Sequence, residues 1–373
     1  GNEKVIRPRL ADAAFFYDTD RKQPLASRIS GLSSVLFQKQ LGTLADKAHR
    51  TAAVAAFIAG RIGGDVAHAR RAAELGKCDL ITEMVLEFPE LQGIMGRYYA
   101  SQDGEPADVA QALEEQYLPR FAADAIPETR TGLALALADR LDTLTGIFGI
   151  GARPTGTKDP FALRRASIGV LNILVKGELD LDLRELLELA AAQHQELPYA
   201  ENLVEEVLNY MLDRFRAWGQ DEGIEAEVYL AVRSRPVTRP LDFARRLRAV
   251  HGFAQREEAA ALAAANKRVA NILAKQDSQS TPGVDPGLLQ EPAEQALFEA
   301  LAVQRKAVMP LFAKGRYHDA LDALASLRDP VDTFFDRVMV MAEDDAIRAN
   351  RLALLAGLQG LFLEVADIAL LQQ

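Results

Sequence analysis

The sequence predicts an all-α protein, and three observations carry that expectation. Ala and Leu dominate a chain that is 49% hydrophobic but only 7% aromatic, with short β-branched runs, and such a composition favours helices. Apolar residues recur at helical spacing almost throughout, without a convincing alternating strand. Gly, Pro and Asp punctuate the periodic stretches where helices stop and restart.

The elements follow in order. Residues 8–63 read as several helices, the clearest being Leu44 to Ile62 with Leu44, Ala48, Thr51, Ala55 and Ile58 or Ala59 on one side. Gly63, Gly64 and Asp65 stop it and cap the next helix, which runs to about Cys78. Thr131 to Phe148 is another long helix. A Gly/Pro-rich loop, Gly149 to Arg165, comes next. Asp159 can accept hydrogen bonds from the first amides of the following helix, and Pro160 fits its first position. Arg164 and Arg165 then lie in the early turns, where cations oppose the helix dipole. Local stability does not explain them, so the loop is expected to meet an anionic partner or to form a domain joint.

Phe161 to Lys176, Leu183 to Gln193 and Ala200 to Trp218 are helical. Two prolines in Arg233 to Pro240 mark a boundary. Helices at 241–250 and 255–275 follow, then a loop over Gln276 to Glu291 with one short turn. Glu294 to Ala313, Tyr317 to Leu327, Pro330 to Met341 and Ala346 to Leu371 complete a C-terminal bundle. No fixed-period repeat is visible.

At 373 residues the chain should hold two or three domains. It has neither an apolar run of the roughly 18 residues needed to span a bilayer nor a charged-then-apolar leader. The lone cysteine, Cys78, cannot make an internal disulfide, which fits a reducing cytoplasm. A start at Gly1 suggests a fragment or a processed chain. The net charge of −10 argues against indiscriminate coating of nucleic acid. The charge is unevenly spread, however. Val232 to Lys275 holds ten Lys or Arg against three Asp or Glu, a net of +7, leaving about −17 for the rest. A basic island in an acidic chain fits either a localised nucleic-acid contact or a solvated helix face.

Two chemical candidates follow. The helical segment 44–148 resembles the HD superfamily, whose phosphohydrolases bind a divalent metal through a His, a His-Asp pair and a distant Asp. The pair reads Cys78-Asp79 here, the distant Asp matches Asp139, and the first position falls around Lys47 to His49. Two carboxylates and a thiol are a poor set for hydrolytic metal chemistry, so no metal is expected. Asp79 and Asp139 are then expected to hold helix ends or to pair with Arg140 or Lys77. His49, His68, His194, His251 and His318 show no metal-ligand spacing, and no Gly-rich phosphate loop is present. No complete catalytic constellation emerges.

The second candidate is RNA binding in the C-terminal third. Lys267 and Asn271 lie four residues apart on one helix face with Arg268 beside them, while Val269, Ile272 and Leu273 can face a core. Arg316 and Tyr317 open a later helix, where Tyr317 could stack on an unpaired base. Phe334, Phe335 and Met339 read more simply as core.

Six stretches together resemble the beta subunit of bacterial heterotetrameric glycyl-tRNA synthetase. They are Gly1 to Ala13, Gln38 to Lys47, Glu90 to Ala100, Lys158 to Arg165, Ala265 to Leu273 and Pro330 to Asp344. The resemblance implies the C-terminal part of a longer subunit. It comprises an HD-like helical domain at 1–176, a connecting helical region at 177–235 and a helical anticodon-binding bundle of the arginyl-tRNA synthetase type at 236–373. It also implies a cytoplasmic partnership with an alpha subunit and glycine tRNA, without membrane or DNA. The alpha subunit would carry the catalytic centre and use ATP and Mg, leaving this chain no bound cofactor and a role in tRNA recognition. From charge and position, and not from the resemblance itself, Lys267, Arg268, Asn271, Arg316, Tyr317 and Arg165 are the expected tRNA contacts. Lys158, Asp159 and Arg164 are the expected interdomain joint. An HD-type phosphohydrolase and an assembly scaffold without RNA contact are the competing readings.

Overall fold

A computed structural model describes residues 3–275 and 283–372. The chain folds as two compact units: residues 1–214 with 239–241, and residues 215–238 with 242–373. Helices dominate both, as expected.

The first unit contains ten helices among its described residues: α1 (Glu3–Asp20), α2 (Leu44–Arg61), α3 (Val66–Leu75), α4 (Glu83–Glu87), α5 (Ile94–Gln102), α6 (Ala107–Glu115), α7 (Arg130–Gly149), α8 (Leu163–Lys176), α9 (Leu183–Ala192) and α10 (Leu203–Leu212). Helix α7 is the axle. It is apolar around most of its circumference and buried along nearly its whole length, as such a pattern requires. Helices α2, α3, α6, α8, α9 and α10 all pack on it. Close approach needs a missing side chain at Gly146, where a Cβ would meet His194 and Leu41 at 2.8 Å. The Asp65 cap acts as read from the sequence, and the start of α2 carries a capping box that was not read there. Thr43 and Asp46 form a reciprocal capping box on α2, and Asp65 accepts from the His68 amide at the start of α3.

Three local expectations for this unit need correction. A small antiparallel hairpin, β1 (Leu36–Gln38) with β2 (Gly42–Thr43), interrupts the run expected to be purely helical. It is too short to show alternation. Helix α3 ends at Leu75, and a 3-10 turn covers Cys78–Ile81. Helix α8 starts at Leu163, not Phe161, so Pro160 is not its first residue. Ala162 adopts a left-handed conformation before it, and Asp159 reaches over to accept from the Leu163 and Arg164 amides at 2.8 and 3.0 Å.

The second unit holds α11 (Phe215–Asp221), α12 (Ala226–Arg233), α13 (Pro240–Ala254, with its first two residues in the first unit), α14 (Glu257–Leu273), α15 (Pro292–Ala313), α16 (Tyr317–Leu324), α17 (Arg328–Arg337) and α18 (Asp345–Leu363). Its core includes Phe215, Phe243, Phe253, Phe334 and Phe362. Phe215 stacks on Phe243 with centroids 4.7 Å apart. Helix α14 packs on α17, α18 and the 3-10 turn Ile368–Leu371. The helix expected over Ala200 to Trp218 is two helices, broken at Asp213 and Arg214. The one expected over Pro330 to Met341 ends at Arg337, where Val338 turns extended. The last expected helix breaks after Leu363. Of the loop expected at 276–291, residues 276–282 lie outside the described residues, and Pro286–Leu288 supply the short turn.

Candidate nucleic-acid interface

The basic island divides into spent and unspent charge. Arg239 pairs with Asp180 at 2.8 Å, Arg246 with Asp242 at 2.7 Å, Arg248 with Glu222 at 2.9 Å and Arg256 with Asp322 at 2.7 Å. These arginines serve the fold. Lys267, Arg268, Asn271 and Lys275 on and just past α14 are exposed instead. With Ala264, Ile272 and Met341 they line one groove of about 400 Å³. The apolar positions of the same helix, Leu262, Ala265 and Val269, face the core. Helical periodicity thus turns the cations outward.

Each exposed residue is positioned differently. The Lys267 ammonium donates to the Gln372 carbonyl at 2.9 Å. Arg268 lies over the ring of Phe335, 4.3 Å from its centroid. Such stacking orients a guanidinium while leaving its in-plane N–H donors available. Phe335 is half-buried and Phe334 fully buried, whereas Met339 is 75% exposed and is not the core residue expected. Met339 and Met341 belong to the non-helical stretch after α17. Lys275 and Met341 were missed because groove membership depends on how that stretch meets α14.

Tyr317 does not stand ready to stack on a base. It is buried, its hydroxyl donates to Asp242, and Arg246 donates to that hydroxyl at 2.8 Å while lying over the ring. Burial, reinforced by the Asp242 contact, pushes its ionisation well above the ordinary tyrosine value. Arg316 is exposed and pairs with Asp319 at 2.7 Å. Neither residue lines the α14 groove.

The HD-like positions in the first unit have a different character. The Lys47 ammonium donates to Asp142 at 3.0 Å, Thr143 at 2.8 Å and the Asp139 carbonyl at 3.1 Å. It also stands 3.4 Å from the Asp139 carboxylate, which Lys77 approaches to 3.2 Å. Burial opposes ionisation of Asp139, but Lys47, Lys77 and Arg140 outweigh it and hold the carboxyl well below the usual range. Arg50 grips Asp142 at 2.6 Å, and the buried His194 side chain lies 3.5 Å from the same carboxylate. Burial lowers the His194 pKa despite Asp142, keeping the imidazole neutral near pH 7. Asp79 accepts from the Gly93 and Gly96 amides at 2.5 and 3.1 Å and so holds the start of α5. Burial of Cys78 raises its thiol to about 12, where it is neither a ready nucleophile nor a ready ligand. Among the described residues no cluster of three or more His, Cys, Asp or Glu is arranged for a metal.

In the loop before α8, Asp159 caps the helix and Arg164 donates to the Gly156 carbonyl. Thr155 and Lys158 exchange a pair of backbone hydrogen bonds at 3.1 and 2.8 Å. These contacts brace the loop on its own helix. Arg165 is exposed at a cavity of about 420 Å³ that is also lined by Tyr117, Asp139, Arg140 and Phe161. No helix among the described residues is long and apolar enough to cross a membrane.

The family profile described as "Glycyl-tRNA synthetase beta subunit" matches residues 1–234, and one described as "DALR anticodon binding domain" matches residues 262–367. Proteins named glycine–tRNA ligase beta subunit from Chromohalobacter salexigens, Marinobacter nauticus and Tolumonas auensis are 76%, 59% and 56% identical to essentially the whole chain. The chain spans 54% of the length of each.

Proposed function

Because the chain belongs to the glycyl-tRNA synthetase beta subunit family, we propose that it is a tRNA-recognising part of a glycine–tRNA ligase, working in the cytoplasm beside an alpha subunit. The alpha subunit would use ATP and Mg to activate glycine and would carry the catalytic centre. This chain would supply position. One observation carries the reading: Lys267, Arg268, Asn271 and Lys275 line a single exposed groove inside the stretch that matches an anticodon-binding domain.

The groove suits an unpaired stretch of RNA. Lys267, Arg268 and Lys275 can neutralise phosphates, which sets register without reading sequence. Asn271 can donate and accept at a base edge, and Met341 offers an apolar wall. The phosphohydrolase reading has no observation in its favour, since the carboxylate it would need, Asp139, already faces two lysines.

Competition binding tests the proposal. Glycine tRNA should be displaced from the chain far less readily by a glycine tRNA with a substituted anticodon than by unlabelled glycine tRNA. Equal displacement by both would refute anticodon recognition.

A further inference from the structure

The α14 groove holds one of its cations differently from the others. Lys267 and Lys275 are exposed ammonium groups on flexible stems, movable point charges suited to phosphates. Arg268 instead lies over the Phe335 ring, 4.3 Å from its centroid. It makes no hydrogen bond or ion pair among the described residues. Its N–H donors are therefore unspent, while the plane that carries them is held on a ring.

The ring is itself fixed. Phe335 meets the fully buried Phe334 edge to face, with centroids 5.6 Å apart and planes at 82°. The two are successive residues of α17, one seated in the core and the other under Arg268. An aliphatic side chain at 335 would fill much of the space but offer the guanidinium no π face.

The apolar wall of the groove is held from behind. In the stretch after α17, Val338 and Val340 are buried while Met339 and Met341 are exposed. Arg351 Nη1 donates to the Met339 carbonyl at 2.7 Å, and Arg348 Nη1 donates to the Ala342 carbonyl at 2.8 Å. Arg351 is buried and pairs with the buried Glu294 at 2.5 Å. Two arginines of α18 thus clamp the chain on either side of Met341, which remains 49% exposed. An exposed thioether held in place offers a polarizable surface to an aromatic base.

A guanidinium fork donates to two adjacent acceptors at once. Guanine O6 and N7 form such a pair, as do cytosine O2 and N3, whereas the Watson–Crick and Hoogsteen edges of adenine and uracil interleave donors with acceptors. We infer that Arg268 is the specificity-determining residue of the groove, reading one unpaired guanine or cytosine seated against Met341, and that Phe335 is its positioning residue. The inference rests on the groove being an anticodon site, and adds which side chain discriminates and between which bases.

The test measures binding of the chain to glycine tRNA and to variants in which each anticodon guanine or cytosine is replaced in turn by adenine or uracil, at several salt concentrations. At one position the replacement should cost about tenfold or more in affinity, as one bidentate base contact does. Phe335→Leu should abolish that discrimination, spare discrimination at any other position, and leave the salt slope unchanged because no charge is removed. Arg268→Lys should do the same, since it keeps the charge and loses the fork. Phe335→Tyr should restore discrimination. General loosening of the bundle would instead weaken all positions together, and if Phe335→Leu does not fold, the surface variant Arg268→Lys decides. Equal binding of every anticodon variant by the unaltered chain would overturn the anticodon reading and this inference with it. Discrimination that survives Arg268→Lys, or survives Phe335→Leu in a folded chain, would overturn this inference alone.

Discussion

Two charged regions of this chain share a vocabulary of Lys, Arg and carboxylates but have opposite outcomes. Around Asp142 the charges are buried and turned on one another: Lys47 is 4% exposed, Arg50 7% and Asp142 1%. Along α14, Lys267, Arg268 and Lys275 are exposed and line an open groove. The first arrangement ties α2 to α7 and leaves little charge for a ligand. The second contributes little to stability and remains available to an anion. Function in charged proteins is therefore read from what the charges already satisfy, not from their number.

The largest expected effect breaks the buried side of this comparison. Asp142→Ala strands Lys47 and Arg50 in a low-dielectric interior, which should cost about 3–5 kcal/mol, measurable by urea denaturation. A loss below about 1 kcal/mol would mean that water reaches the cluster and that it resembles a surface pair.

Acid should act on the same cluster. Burial opposes ionisation of Asp142, but Lys47, Arg50 and His194 overcome it and lower its pKa, as Lys47, Lys77 and Arg140 do for Asp139. A carboxyl with a depressed folded pKa stabilises the fold above its unfolded value, about 4. That contribution is lost as pH falls from about 4 through the lowered folded values. Melting temperature should therefore drop steeply below about pH 4, and less steeply in Asp142→Asn. Identical slopes would remove Asp142 from the account.

Tyr317 marks the border between the two behaviours. Tyr317→Phe should cost about 1 kcal/mol, the contribution of a side-chain hydrogen bond, in a melting experiment and leave tRNA affinity unchanged. A loss of affinity at constant stability would return Tyr317 to the RNA-facing side.

The sequence exposed much of the fold and less of the sites, and the reason is separation along the chain. Helices α2 and α9 announced themselves through periodicity and α3 through its Asp65 cap, whereas α7, apolar on almost every side, showed only as a long unbroken helix-forming run. The hairpin at Leu36–Thr43 stayed hidden because strands of three and two residues have no measurable alternation. Lys267, Arg268 and Asn271 were legible as one face because a single helix sets their spacing. The burial of Tyr317 was not, since it depends on Asp242 and Arg246, 75 and 71 residues away. Lys47 likewise meets Asp142 across 95 residues. Asp159 was recognised as a cap, but its reach across Pro160 and the left-handed Ala162 depends on loop geometry rather than on composition.

The smallest effect on stability belongs to the exposed face. Lys267→Ala with Arg268→Ala should change unfolding free energy by about 0.5 kcal/mol or less, as surface substitutions do. The double variant also supplies the most direct test of the central claim, that α14 presents unspent charge to RNA. Glycine tRNA binding, measured across a series of salt concentrations, should weaken in the variant, and the slope of log affinity against log salt should fall by about 1 to 2, reflecting one or two lost phosphate contacts. An unchanged affinity and slope in a fully folded variant would contradict the account.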